Sequence, residues 1–145
     1  FLTGKVIPLK DVNDGVFSEG IMGDGLAILP ENDTLYAPCD GEVTVLMEES
    51  KHACGLTLDN GMEILLHIGI DTVEMKGEGF EYLTALNQKV TKGTPLVRFD
   101  RKKIREAGHP DVTVCIITEE GNAKDIKLIT GIHAEAGKTE IVSFD

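Results

Sequence analysis

The chain has 145 residues, 41% of them hydrophobic and 27% charged, with a formal net charge of -11. That is the length and balance of one soluble globular domain whose core stands without staples, and it excludes a disordered segment. It also excludes a nucleic-acid binder, which needs a basic face to displace counterions from phosphates, and favours a partner with a basic docking surface.

In chain order, short runs of Val, Ile, Leu and Thr alternate with Gly, Pro, Asn and Asp turn signals. Strands are expected over residues 4–9, 26–29, 41–47, 55–58, 63–70, 95–99, 112–118 and 140–144. This is the pattern of an all-β sandwich or barrel. Helix is scarce: residues 80–86 and 101–107 each suit a short helical turn, the second ended by Gly108. The corner at residues 37–41, Ala-Pro-Cys-Asp-Gly, weakly echoes residues 89–95 as a Gly/Pro turn that opens a β run. Cys39, Cys54 and Cys115 make no disulfide framework and match no common zinc spacing, so reduced cytosolic thiols are expected. No apolar run approaches the roughly 18 residues of a membrane-crossing helix, so no direct membrane insertion is expected. The chain starts at Phe1 with neither methionine nor a signal-like segment, as a domain cut from a longer polypeptide or a trimmed one would.

The most informative stretch is residues 51–72, KHACGLTLDNGMEILLHIGIDT. Asn60-Gly61 lies between two β runs and favours a two-residue type I′ turn. With Asp59 opposite Met62, Cys54 falls opposite His67 and His52 opposite Gly69. His52 is then a diagonal neighbour of His67, roughly 7–8 Å away between Cα atoms, and both rings leave one face of the sheet. A slip of one residue would put them on opposite faces. Met62, Ile64, Leu66 and Ile68 would cover the other face, so His67 stands on a rigid, buried strand. Gly69 would leave room beside the rings, and Asp71 and Thr72 would flank the strand end.

Two neighbouring imidazoles suit phosphoryl transfer. Near neutral pH a histidine ring is mostly uncharged and has one nitrogen lone pair that can attack phosphorus. The second ring can donate an N–H to the phosphoryl oxygens, and the chemistry asks for little beyond alignment and charge stabilisation. The competing reading is of two separate structural histidines.

Other features point to less. His109 and His133 lie in loops as solvated bystanders. Cys54 opposite His67 could form a nucleophilic pair, but a small buried apolar role suits it better. Asp11, Asp14 and Asp24 miss the spacing of a calcium loop, and residues 76–79 lack the ending of a phosphate-binding loop. No nucleotide site or cofactor is implied. A zinc-dependent hydrolase on a related β fold is the alternative, with His52 and His67 as ligands and Asp71 as a third; incidental zinc at the two histidines is compatible with either reading. A biotin- or lipoyl-type carrier is a weaker alternative, because the clear hairpin tip is Asn60-Gly61 and not a lysine.

These residues resemble a known family, the glucose-type IIA domain of the bacterial phosphoenolpyruvate-dependent sugar phosphotransferase system. The likeness runs from about Gly4 to Phe144 and is strongest in HIGIDTVEMKGEGF, residues 67–80. It is supported by VFSEGIMGDGLAILP at 16–30, YAPCDGEV at 36–43 and Ser50-Lys51-His52-Ala53. The resemblance implies an antiparallel β-sandwich or barrel of the duplicated hybrid motif type, and a single IIA phosphocarrier domain over residues 1–145, free or fused to other domains. It implies a cytoplasmic phosphotransferase component, whether or not tethered to a membrane permease. His67 matches the histidine phosphorylated on Nε2, His52 the assisting histidine, and Ser50 a hydroxyl in their hydrogen-bond network. Phosphate would come from HPr and leave to a cysteine of a IIB domain, with phosphorylation also open to use as a regulatory switch. Val16, Phe17, Ile21, Met22, Leu65 and Val73 match an apolar docking rim, and Asp14 and Asp71 match flanking carboxylates. Glu48 and Gly55 depart from the pattern, where relatives can carry aromatic residues. The amphipathic N-terminal segment of single-chain regulatory members has no counterpart in this sequence.

Overall fold

The computed structural model describes residues 2–9, 12, 24–70, 72–119, 121, 127–128, 130–134 and 142–143. Their strands, in chain order, are β1 (Gly4–Pro8), β2 (Asp24–Pro30), β3 (Thr34–Tyr36), β4 (Gly41–Leu46), β5 (Ala53–Thr57), β6 (Glu63–Ile68), β7 (Phe80–Tyr82), β8 (Lys89–Val90), β9 (Pro95–Phe99), β10 (Thr113–Glu119), β11 (Lys127–Leu128), β12 (His133–Ala134) and β13 (Val142–Ser143). A 3-10 helix covers Thr72–Met75 and one α-helix, α1, covers Arg101–Glu106. Asp100 caps α1 by accepting the Lys103 N–H, and Gly108 follows the helix as expected.

Every described pairing is antiparallel. The large sheet runs β12-β1-β2-β10-β6-β5-β4-β8, a three-stranded sheet runs β3-β9-β7, and β11 pairs with β13. The period of two along β6 sorts its side chains. Ile64, Leu66 and Ile68 are buried and Leu65 and His67 half-buried, as a strand with two unlike faces requires. Ile64, Leu66 and Ile68 join the main core with Cys54, Leu56, Cys115, Leu35, Val97, Phe80 and Phe99, which fills the space between the large and the three-stranded sheets. Leu65 packs instead on a smaller cluster of Ala27, Val114, Ile116, Leu9, Val12, Ile70 and Val112. Among the described residues the fold is therefore an all-β antiparallel sandwich with two short helical segments, as expected.

The echo between residues 37–41 and 89–95 has a spatial counterpart. β3 pairs with β9 and β4 with β8. Between them the Ala37 N–H donates to Thr94 O at 2.8 Å and the Gly93 N–H to Ala37 O at 2.9 Å. The two corners thus run antiparallel against each other as the chain passes from one sheet to the other.

Two expectations are corrected. Residues 80–86 do not form a helical turn: Phe80–Tyr82 pair with Phe99–Val97, and burial of Phe80 in the core overrides a weak local preference. The β5–β6 hairpin is closed by three residues, not two. Ala53 pairs with His67 and Cys54 with Leu66, and the Leu58 N–H donates to Met62 O at 2.8 Å. In this register two buried residues, Leu58 and Met62, close the hairpin and Asp59 stays exposed. Gly61 takes the left-handed residue at φ +86, and Asn60 Oδ1 accepts the Met62 N–H at 3.0 Å, a three-residue turn suited to strand twist. The expected strand at residues 140–144 falls mostly outside the described residues.

Because β6 supports His67 through the core beneath it, Leu66→Ala should cost about 2–5 kcal/mol in denaturant unfolding. Glu63→Ala, at the exposed start of the same strand, should stay within about 0.5 kcal/mol.

Candidate active site

His67 lies on β6 between β5 and β10, opposite Ala53 and Val114. Val114 pairs with Ala27 and Ala27 with Ile7. These small and aliphatic residues form one row across five strands and give the imidazole a flat, stiff base.

The ring's protonation follows from one contact. His67 Nδ1 lies 2.9 Å from Gly69 O. A carbonyl oxygen only accepts, so Nδ1 carries the hydrogen and donates. In the neutral ring the lone pair then belongs to Nε2. Gly69 makes this possible by its own backbone, with φ +73, a region costly for residues with a Cβ. A Cβ there would meet Thr72 Cγ2 at 2.5 Å and Pro110 O at 3.0 Å. The missing side chain therefore makes room for the following turn, where the Thr72 hydroxyl donates to Ile68 O. This adds a second reason for a glycine at a position expected to leave room beside the rings.

His52 meets His67 edge to face, with ring centroids 4.6 Å apart and planes at 83°. Its Nδ1 lies 2.7 Å from Ser50 Oγ, and the residue is only 3% exposed. The expected contact is present although the expected register is not. In the observed register His52 stands opposite Ile68, whose N–H donates to His52 O at 2.8 Å. Regular alternation would turn the two rings to opposite faces. The rings meet because the extended geometry lapses at both strand ends: β5 begins only at Ala53, after Lys51 with φ +55, and β6 gives way to the left-handed Gly69. Burial holds the His52 pKa below its ordinary 6.5, because charge is costly away from water.

Cys54 is not opposite His67. It faces Leu66 in the core, and burial pushes its thiol up to about 12, which leaves it an unreactive small apolar residue. Val73 sits on the 3-10 helix after β6 and is 53% exposed. Leu65 lies on the His67 face of β6, half-buried. Asp14, Val16, Phe17, Ile21, Met22 and Asp71 lie outside the described residues. His133 is exposed and bonded to Glu31 at 2.9 Å. His109 is no solvated bystander: its side chain is largely buried and lies 3.9 Å from a Glu74 carboxylate oxygen. Among the described residues no three His, Cys, Asp or Glu side chains come together to hold a metal ion. Sequence reasoning missed Tyr82, whose hydroxyl touches both Met47 and Ala53. No local pattern links it to the histidines.

A family model described as phosphoenolpyruvate-dependent sugar phosphotransferase system, EIIA 1, matches residues 1–123. The chain is 42% identical over 141 residues to the PTS system glucose-specific EIIA component of Bacillus cereus, a match that covers 97% of this chain and 85% of that protein. A Bacillus anthracis protein of the same name matches to the same extent. The solved structure of glucose permease IIA from Mycoplasma capricolum superposes with a TM-score of 0.88 at 34% identity, covering 97% of this chain and 90% of that one.

Burial of His52 has a pH signature. Below an unfolded pKa of 6.5 the unfolded chain binds a proton that the folded His52 still refuses, so stability falls as pH drops until the lowered folded pKa is passed. The difference in unfolding free energy between wild type and His52→Gln, followed from pH 8 to pH 5, should move against wild type below about pH 6.5. A parallel pair of profiles would contradict this.

Proposed function

The chain belongs to the EIIA 1 family of the phosphoenolpyruvate-dependent sugar phosphotransferase system, and from that premise we propose that it carries a phosphoryl group on His67, taken from HPr and given to a cysteine of a IIB domain. The observation that carries this reading is the His52–His67 pair at 4.6 Å, with His67 Nδ1 engaged by the Gly69 carbonyl.

The chemistry follows from the two rings. The Nε2 lone pair of His67 attacks phosphorus, the N–P bond forms, and the donor's bond to phosphorus breaks with its electron pair leaving on the donor. Nδ1 keeps its hydrogen throughout. In the second step a cysteine thiolate attacks, the S–P bond forms, and the N–P electron pair returns to Nε2. When the Ser50 hydroxyl donates to His52 Nδ1, the hydrogen of His52 sits on Nε2, where it can bond the phosphoryl oxygens. Such a donor, fixed before charge develops, supports the transition state without reorganisation.

Docking uses Leu65 and Val73 together with Val16, Phe17, Ile21 and Met22, and Asp14 and Asp71 meet basic groups on the partner. The net charge of -11 steers such encounters. Residues 1–145 act as one IIA phosphocarrier domain. This reading puts the work in the cytoplasm, where phosphoenolpyruvate is made. No helix among the described residues is long and apolar enough to cross a membrane. The named relatives are glucose-specific, which supports glucose as the sugar of the pathway. The zinc-hydrolase alternative gains no ligand set among the described residues.

Incubation with phosphoenolpyruvate, enzyme I and HPr should add one acid-labile phosphoryl group by intact mass. His67→Ala should abolish the gain, and His52→Ala should accept the group but deliver it to a IIB cysteine at least tenfold more slowly, roughly the loss of one charge-assisted hydrogen bond. Equal uptake by His67→Ala would overturn the assignment.

A further inference from the structure

Tyr82 belongs to β7 of the three-stranded sheet, yet its hydroxyl reaches the entry of β5 in the large one. It accepts the Met47 N–H at 2.9 Å and donates to Ala53 O at 2.6 Å. Those two residues are the ends of the segment that carries Ser50, Lys51 and His52. The segment is a tight turn, with the Lys51 N–H bonded to Met47 O at 2.8 Å and Lys51 at φ +55. A lysine persists in that conformation only where its surroundings over-determine it. Residues 76–79 press on the same turn from outside, since a Cβ on Gly77 would meet Glu49 O at 2.5 Å. The Tyr82 ring packs against the main core, so packing and the hydroxyl contact are separable parts of one side chain. Burial raises the Tyr82 pKa further above its ordinary 10.0, and the hydroxyl is a donor at neutral pH with or without that shift.

We propose that Tyr82 is a positioning residue for His52. Its hydroxyl clamps the two ends of the 47–53 segment, and through that clamp it holds His52 Nδ1 on Ser50 and the His52 ring against His67. The clamp acts on the stabilising ring, while His67 Nδ1 is bonded to Gly69 O at the far end of β6. Its kinetic consequence rests on the phosphocarrier reading; its structural consequence does not.

The test is Tyr82→Phe in the full chain, which keeps the ring and removes only the hydroxyl. Nitrogen NMR at fixed neutral pH should show His52 changing from one tautomer to a mixture while His67 keeps its Nδ1–H form. Uptake of phosphoryl from HPr should remain stoichiometric. Delivery to a IIB cysteine should fall roughly tenfold in kcat with KM unchanged, the scale of one lost hydrogen bond's alignment. Ser50→Ala should give the same His52 signature, and the double variant should fall no further, because both changes break one chain of contacts. Unchanged His52 signals in Tyr82→Phe, or losses that multiply in the double variant, would overturn the inference. Should wild type take no phosphoryl on His67, the carrier reading fails, and the His52 signals still decide the clamp.

Discussion

A backbone carbonyl decides which nitrogen of the His67 ring carries its hydrogen. By accepting the Nδ1 hydrogen, Gly69 O places the neutral ring's lone pair on Nε2. Left to itself an imidazole divides its hydrogen between both nitrogens and turns about its side-chain bonds. Here a bond of 2.9 Å to Gly69 O fixes the tautomer and helps to orient the ring. Most of the neighbouring structure serves that bond. Gly69 needs its left-handed backbone, the Thr72 turn fills the space a side chain would take, and Thr72 itself bonds back to Ile68 O.

The second ring is positioned by different means. His52 hangs from the start of β5, after a strained Lys51, and is held by Ser50 at one edge and His67 at the other. Its burial lowers its pKa, so the ring stays neutral more readily than an exposed histidine. The two rings thus depend on separate strand ends, one fixed by the turn after β6 and the other by the turn before β5. Both turns are tied to the sandwich: the Ile70 N–H bonds Pro110 O at 3.1 Å, and Tyr82 reaches Met47 and Ala53 across 35 and 29 residues of chain.

Much of this was legible in the sequence, for physical reasons that differ by residue. Strands such as β9 and β10 announce themselves through apolar and β-branched runs between turn signals, and α1 through Gly108 after it. Asn60-Gly61 locates the hairpin but not its length, because the choice between two and three loop residues depends on burying Leu58 and Met62 together. The expected register, off by one residue, would have put the rings on one face; the observed register would separate them on a regular sheet, and they meet because His52 and Gly69 lie just outside the regular part. Phe80–Tyr82 reads locally as a helical turn and becomes a strand only by pairing with β9. Tyr82 was therefore invisible, since both its placement and its contacts are products of tertiary structure. The histidines themselves were identified by the resemblance of residues 67–80 and 50–53 to the family, with the hairpin adding their proximity.

The most direct measurement of the central claim is phosphorus–nitrogen coupling by NMR in the nitrogen-labelled, phosphorylated protein. The account predicts one phosphorus bonded to Nε2 of His67, with the hydrogen still on Nδ1. A phosphorus bonded to Nδ1 of His67, or to His52, would contradict it.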